Sequence, residues 1–266
     1  MKVVLYYHLY MTDDYSAWSS IFIEHMKGLE DSGILDVIDQ MNFTVITNTE
    51  KKANVFVGLQ GTYDTGKPKY VEFVLNPYKD DLEMVNSIDS QKTITENYTM
   101  RKIWNDCQKS EMIVLYLHSK GVTSIKRSLE NGDSETFKKY HYWRQFLNWG
   151  VIEKGERCYA AIKHGNYDIA GVNYRETPSK HFSGNFWWAK SEYIKRLPDP
   201  STTEWWQELK SKSSDPWLKS AGDRFRDEQW PCSLEGAKIF NVYSPHDEYG
   251  YGPDSRVLKR SQYENK

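Results

Sequence analysis

MIVLYLHSKG, residues 112–121, runs through apolar and aromatic side chains and then breaks abruptly into His118, Ser119, Lys120 and Gly121. A strand covered on both faces reads as a continuous apolar run instead of an alternating one, so this stretch predicts a central parallel strand. Open α/β sheets bind their ligands beyond the carboxyl ends of such strands. His118, Ser119 and Lys120 therefore stand where a bound group is expected.

Outward from that strand the chain alternates between strand-like and helix-like segments, which predicts an α/β fold with a mixed, mostly parallel sheet flanked by helices. KVVLYYHLY (2–10) reads as a buried first strand with Tyr6 and His8 towards its end. Ser16 offers an N-cap for a helix to about Ser32, with Trp18, Ile21, Phe22, His25, Met26 and Leu29 on one side and Gly33 closing it. Segments 43–49, 53–61 and 70–76 are strand candidates, and NPYKDD (76–81) follows the last of them. A helix is expected over 95–109, a polar loop over 124–134, one or two helices over 135–164 and a strand over 167–174. Residues 199–222 read as an irregular excursion. The expected organisation is a single domain over 1–253, with halves of about 1–122 and 135–253, and a frayed charged tail over 254–266.

HFSGNFWWAKSEYIKRLP (181–198) is the second informative stretch. Successive side chains of a strand point to opposite faces, so Phe186, Trp187 and Trp188 cannot share one core. Either the run is a buried strand, or one tryptophan faces a cleft as a stacking wall, with His181, Ser183 and Asn185 as hydrogen-bonding groups at its rim. Gly184 would let another molecule approach the backbone closely.

Hydrophobic residues at 39% and charged residues at 27% describe a folded globule. The 35 basic and 37 acidic residues leave a net charge of −2, which gives no support to nucleic acid or an anionic membrane as partner. No apolar run approaches the ~18 residues that span a bilayer, and the N-terminus lacks a signal-peptide layout. Cys107, Cys158 and Cys232 are odd in number and far apart. That argues against a disulfide framework and fits a cytoplasmic location.

HFSGNFWWAKSEYIKRLP and YLHSKGV (116–122), with the weaker matches YYHLY (6–10) and VYSPH (242–246), resemble glycosyltransferases of polysaccharide-synthesis clusters and of large viruses and phages. The resemblance implies a GT-A-type fold that takes a nucleotide-sugar donor and a glycan acceptor. Such enzymes commonly bind the donor diphosphate through a metal on an Asp-x-Asp motif at the central strand end. Here that position reads His118-Ser119-Lys120. Lys120 would act as a point charge on the diphosphate, with His118 and Ser119 donating hydrogen bonds. Tyr6, His8 and Asn76 are further donor-side candidates by position. No cofactor is then expected to be required, although His246, beside Asp247, keeps a manganese or magnesium ion open.

On the acceptor side the candidates are His181, Ser183, Gly184, Asn185, Trp187 and Trp188. GDRFRDEQWPCSL (222–234) resembles the acidic segment that supplies the general base of inverting enzymes. This makes Glu228 the first candidate and Asp227 the second, with Phe225 and Trp230 expected to raise the carboxyl's pKa by desolvation. Two other functions stay open. A glycoside hydrolase would need a second carboxylate about 5–10 Å away, and a non-catalytic carbohydrate-binding protein would use the aromatics alone.

Overall fold

The structure is a computed structural model and describes residues 1–12, 14–47, 56, 66–75, 96–122, 132–222, 225–245 and 258–266. Among the described residues, seven strands form one sheet in the order β3-β2-β1-β4-β8-β5-β9. They are β1 (Lys2–Tyr10), β2 (Gln40–Thr47), β3 (Lys69–Leu75), β4 (Met112–His118), β5 (Ile169–Gly171), β8 (Trp187–Lys190) and β9 (Ile239–Asn241). Pairing is parallel among β3, β2, β1 and β4 and between β5 and β9. Only β8 runs against its neighbours, between β4 and β5. The result is the mixed, mostly parallel α/β sheet that the sequence predicts. β6 (Tyr174–Arg175) and β7 (His181–Phe182) form a separate antiparallel pair.

Helices cover both faces of the sheet, which is why β4 is buried at every position. One face packs against α1 (Tyr15–Asp31), α4 (Ser134–Asn148), a π turn (Trp149–Glu153) and α5 (Gly155–Lys163), and a short helix, α2 (Ile34–Val37), follows α1. The other face packs against α3 (Asn97–Lys109), α6 (Ser191–Ile194) and the segment around Trp230. Alternation sorts the strand residues: Val3, Leu5, Tyr7 and Leu9 enter the first core, Val4 and Tyr6 the second. The excursion after α6 holds α7 (Glu204–Lys212) and α8 (Pro216–Ser220); Trp206, Leu218 and Ala221, the residue that caps α8, make a small core of their own. Among the described residues no helix is long and apolar enough to cross a membrane.

Some expectations change. The cap of α1 is Asp14, whose carboxylate accepts from the amides of Ser16 and Ala17. Ser16 is already inside the helix. The chain end is docked, not frayed, where it is described: Leu258 and Tyr263 are buried. Tyr263 lies against Phe146 and Trp149, and Arg260 pairs with Glu153. Two apolar anchors override the charged composition. The expected strand at 53–61 lies outside the described residues except for Phe56, which packs on Phe22 and Phe43. Residues 76–81 and most of the expected loop at 124–134 also lie outside them.

Candidate functional site

The chain moves from β1 to β2 and β3 on one side and returns to β4 on the other, so strand order reverses between β1 and β4. Their carboxyl ends frame the crevice that such a switch point opens. His8 and His118 are register partners there. Ser119 ties the two ends together, its amide donating to the His8 carbonyl at 3.0 Å and its hydroxyl accepting from the Tyr10 amide at 2.9 Å. His8 meets Thr99 Oγ1 at 2.9 Å through Nδ1. Burial lowers its pKa to about 4, with the His118 ring adding to the effect against the pull of Glu96.

His118 donates from Nε2 to the Gly184 carbonyl at 2.9 Å, and its Nδ1 lies 3.4 Å from Glu96 Oε1. Burial and the Lys120 ammonium lower its pKa to about 3. It is therefore a neutral donor at physiological pH. The Gly184 amide in turn donates to Glu228 Oε1 at 2.5 Å. Gly184 thus links the end of β4 to the carboxylate. Its φ of +103° is a conformation that L residues rarely adopt, and a Cβ there would meet Leu147 Cδ1 at 2.5 Å. The close neighbour that requires a glycine is this chain's own Leu147, rather than the bound molecule expected from the sequence.

Glu228 lies on α9 (Arg226–Gln229). Burial would raise its pKa, but Lys120, His181, the Gly184 amide and His118 together lower it. This reverses the desolvation-raised carboxyl expected from the sequence: cationic and hydrogen-bond-donating neighbours outweigh the aromatic surroundings. Lys120 Nζ sits 4.3 Å from the centroid of the Trp143 ring. Trp143, Arg175, His181, Ser183, Trp217, Phe225 and Glu228 are among the residues lining an open cleft of about 370 Å³. Its rim is aromatic, with Trp217 half exposed and packed edge-on to Phe225.

The structure brings His181, Ser183, Gly184 and Glu228 together with Lys120 and His118, and it moves other candidates away from the cleft. Trp187 and Trp188 do alternate, yet each is buried in a separate core because the sheet is covered on both sides. Their indole N–H groups donate to Asn185 Oδ1 and the Val151 carbonyl. Asn185 is buried with φ 59° and donates to Glu96 and the Asp227 carbonyl, a turn-holding role. Asp227 is buried and accepts from the Asn97 amide at 2.8 Å and the Asn97 side chain at 3.2 Å, which satisfies the start of α3. Tyr6 points into the second core and donates to Asp106. Asn76 and His246 lie outside the described residues, and among those described no group of three or more His, Cys, Asp or Glu side chains is arranged to hold a metal ion.

Sequence reasoning missed Glu96, Trp143, Arg175 and Trp217. Glu96 accepts from Tyr116 Oη at 3.1 Å and Asn185 Nδ2 at 2.7 Å beside His118. Trp143 falls within a helical aromatic pattern and Trp217 within the excursion, so neither stands out from core residues before the fold is known. Arg175 is the register partner of His181, a proximity that only the pairing of β6 with β7 creates.

Fold and site define an α/β protein with a charged, aromatic-rimmed cleft at the carboxyl edge of a mostly parallel sheet. The chain belongs to the family described as "Domain of unknown function (DUF8361)", which matches residues 6–244. No curated protein sequence matches it. Among solved structures it is similar to 4-diphosphocytidyl-2C-methyl-D-erythritol synthase from Anaerococcus prevotii, at 8% identity and a TM-score of 0.36 over 100% of this chain and 99% of that one. A likeness of that degree carries no functional argument.

Proposed function

We propose that this protein is a glycosyltransferase moving a sugar from a nucleotide-sugar donor to a glycan acceptor. The observation that carries the reading is the placement of Lys120, His118 and Glu228 at the strand-order reversal, directly beside the aromatic-rimmed cleft. Lys120 offers a positive charge for the leaving diphosphate, and the neutral His118, its one N–H given to the Gly184 carbonyl, fixes the end of β4 against the Gly184 turn beside it. Across Gly184, Glu228 and His181 form an acid–base pair in which the proton of an acceptor hydroxyl is taken up. Trp143, Trp217 and Phe225 supply flat apolar faces for a sugar ring.

The strand end carries a cation and no carboxylate pair, which does not fit a divalent ion at that position. Donor binding is therefore proposed to proceed without an absolute need for manganese or magnesium, and chelation should leave it in place. Three cysteines that are buried and free support a reducing, cytoplasmic setting.

Calorimetry with a panel of nucleoside diphosphates, their parent nucleosides and nucleotide sugars tests the reading. Wild type should bind at least one diphosphate, and Lys120→Ala should weaken it far more than the nucleoside. Equal loss for both would place the lysine away from the phosphates. No nucleotide binding at all would leave a carbohydrate-binding cleft without transferase chemistry.

A further inference from the structure

We propose that His181, through Nε2, is the atom that takes the acceptor hydroxyl's proton, with Glu228 as the carboxylate that stabilises the resulting imidazolium. The inference rests on the transferase reading above. His181 lines the cleft on β7, and its Nδ1 lies 2.7 Å from the Ser179 carbonyl. A carbonyl only accepts, so Nδ1 carries the hydrogen and Nε2 holds the lone pair. The Ser179 hydroxyl donates to Gln229 Oε1, so the ring's orientation is tied to the helical turn that bears Glu228.

The charged groups around the ring suit this role. Glu228 on α9 favours the protonated imidazole, whereas Arg175 on β6 and Lys120 beyond β4 disfavour it. Burial acts in the same direction as the two cations and is the largest influence, so the ring rests neutral and ready to accept. Glu228 itself is a poor base here. Its Oε1 is held by the Gly184 amide and its ionised form is favoured by Lys120 and His181 despite burial. It is better suited to facing a cation than to becoming neutral. In the step, the acceptor O–H bond breaks as its oxygen forms the new bond to the anomeric carbon. The proton passes to Nε2, and the anomeric C–O bond to phosphate breaks with its electron pair leaving on the nucleotide. Solvent then takes the proton from His181.

The test uses the full chain. Nitrogen-15 NMR of wild type should show the Nδ1–H tautomer of His181 at neutral pH, titrating below 6.5, and Glu228→Gln should lower that titration further. With a donor that wild type turns over, His181→Gln should cut kcat by about 10²–10⁴-fold, leave donor affinity unchanged and remove the acidic limb of the kcat/KM profile. A ring protonated on Nε2, or a His181→Gln protein that keeps the wild-type rate, overturns the role of His181 while leaving the transferase reading intact. A wild type that binds no nucleotide overturns the transferase reading and this proposal with it.

Discussion

At the scale of single residues, Asp227 and Glu228 are adjacent in sequence and separate in task. The Asp227 carboxylate accepts from the backbone and side chain of Asn97, at the otherwise unsatisfied start of α3. Glu228 lines the cleft. Asp227→Asn should therefore lower stability by about 1–3 kcal/mol, because a buried amide would lose its acceptor or gain a competing donor. Glu228→Gln keeps an oxygen for the Gly184 amide. It should leave the urea midpoint near wild type and lower turnover by about 10² or more. Equal stability loss in both variants would argue against this division. The neighbouring histidines set a pH dependence. In the folded chain His118 and His8 titrate at about 3 and about 4, against an ordinary value of 6.5. Between those limits the unfolded chain binds more protons. The stability these rings contribute is complete above about pH 6.5 and is lost as pH falls towards their folded values. Urea unfolding at pH 7.5 and 5 should show that fall, and His118→Gln should show less of it. An unchanged slope would mean that the histidine is hydrated in the folded state.

At the scale of elements, β8 decides how the two halves of the sheet join. Its register sets Trp188 opposite Leu115 and Trp187 opposite Tyr116. Each indole fills a different core, so Trp187→Ala and Trp188→Ala should each cost about 3–5 kcal/mol in urea unfolding. A variant that kept wild-type stability would show its tryptophan to be dispensable for packing. β4 was legible in the sequence because an apolar run ending in His-Ser-Lys states both burial and the strand's carboxyl end. The alternation of Trp187 and Trp188 was legible for the same reason. What lies opposite each face was not, since it depends on α5 and α3, elements distant in sequence. The cleft was half legible. Glu228 and His181 stand in polar segments, whereas Arg175 and Trp143 become site residues only through the β6–β7 pairing and the placement of α4 beside Lys120. The function of Gly184 was misread because a glycine records that space is short, without recording what fills it.

At the scale of the whole molecule, the last described residues close the structure. Leu258 and Tyr263 are buried in the core that includes Phe146 and Trp149, and Arg260 reaches Glu153 on the π turn. Deleting residues 258–266 should expose that core and lower the thermal midpoint by several degrees, as expected for losing two buried side chains worth roughly 1.5–3 kcal/mol each. A deletion variant melting at the wild-type temperature would show the segment to be ornamental. Because α4 carries Trp143 and also packs against this C-terminal segment, loosening the chain end should be felt at the cleft as well as in the melt.

The contact between Lys120 and Trp143 also makes the protein its own optical probe. An ammonium 4.3 Å from an indole centroid biases the ring's excited-state charge shift and therefore its emission. An arriving anion that draws the lysine off the ring would change both the colour and the intensity of that emission. Occupancy could then be followed in real time without a label, with Trp143→Phe as the reference that retains the signal of the other nine of the chain's ten tryptophans.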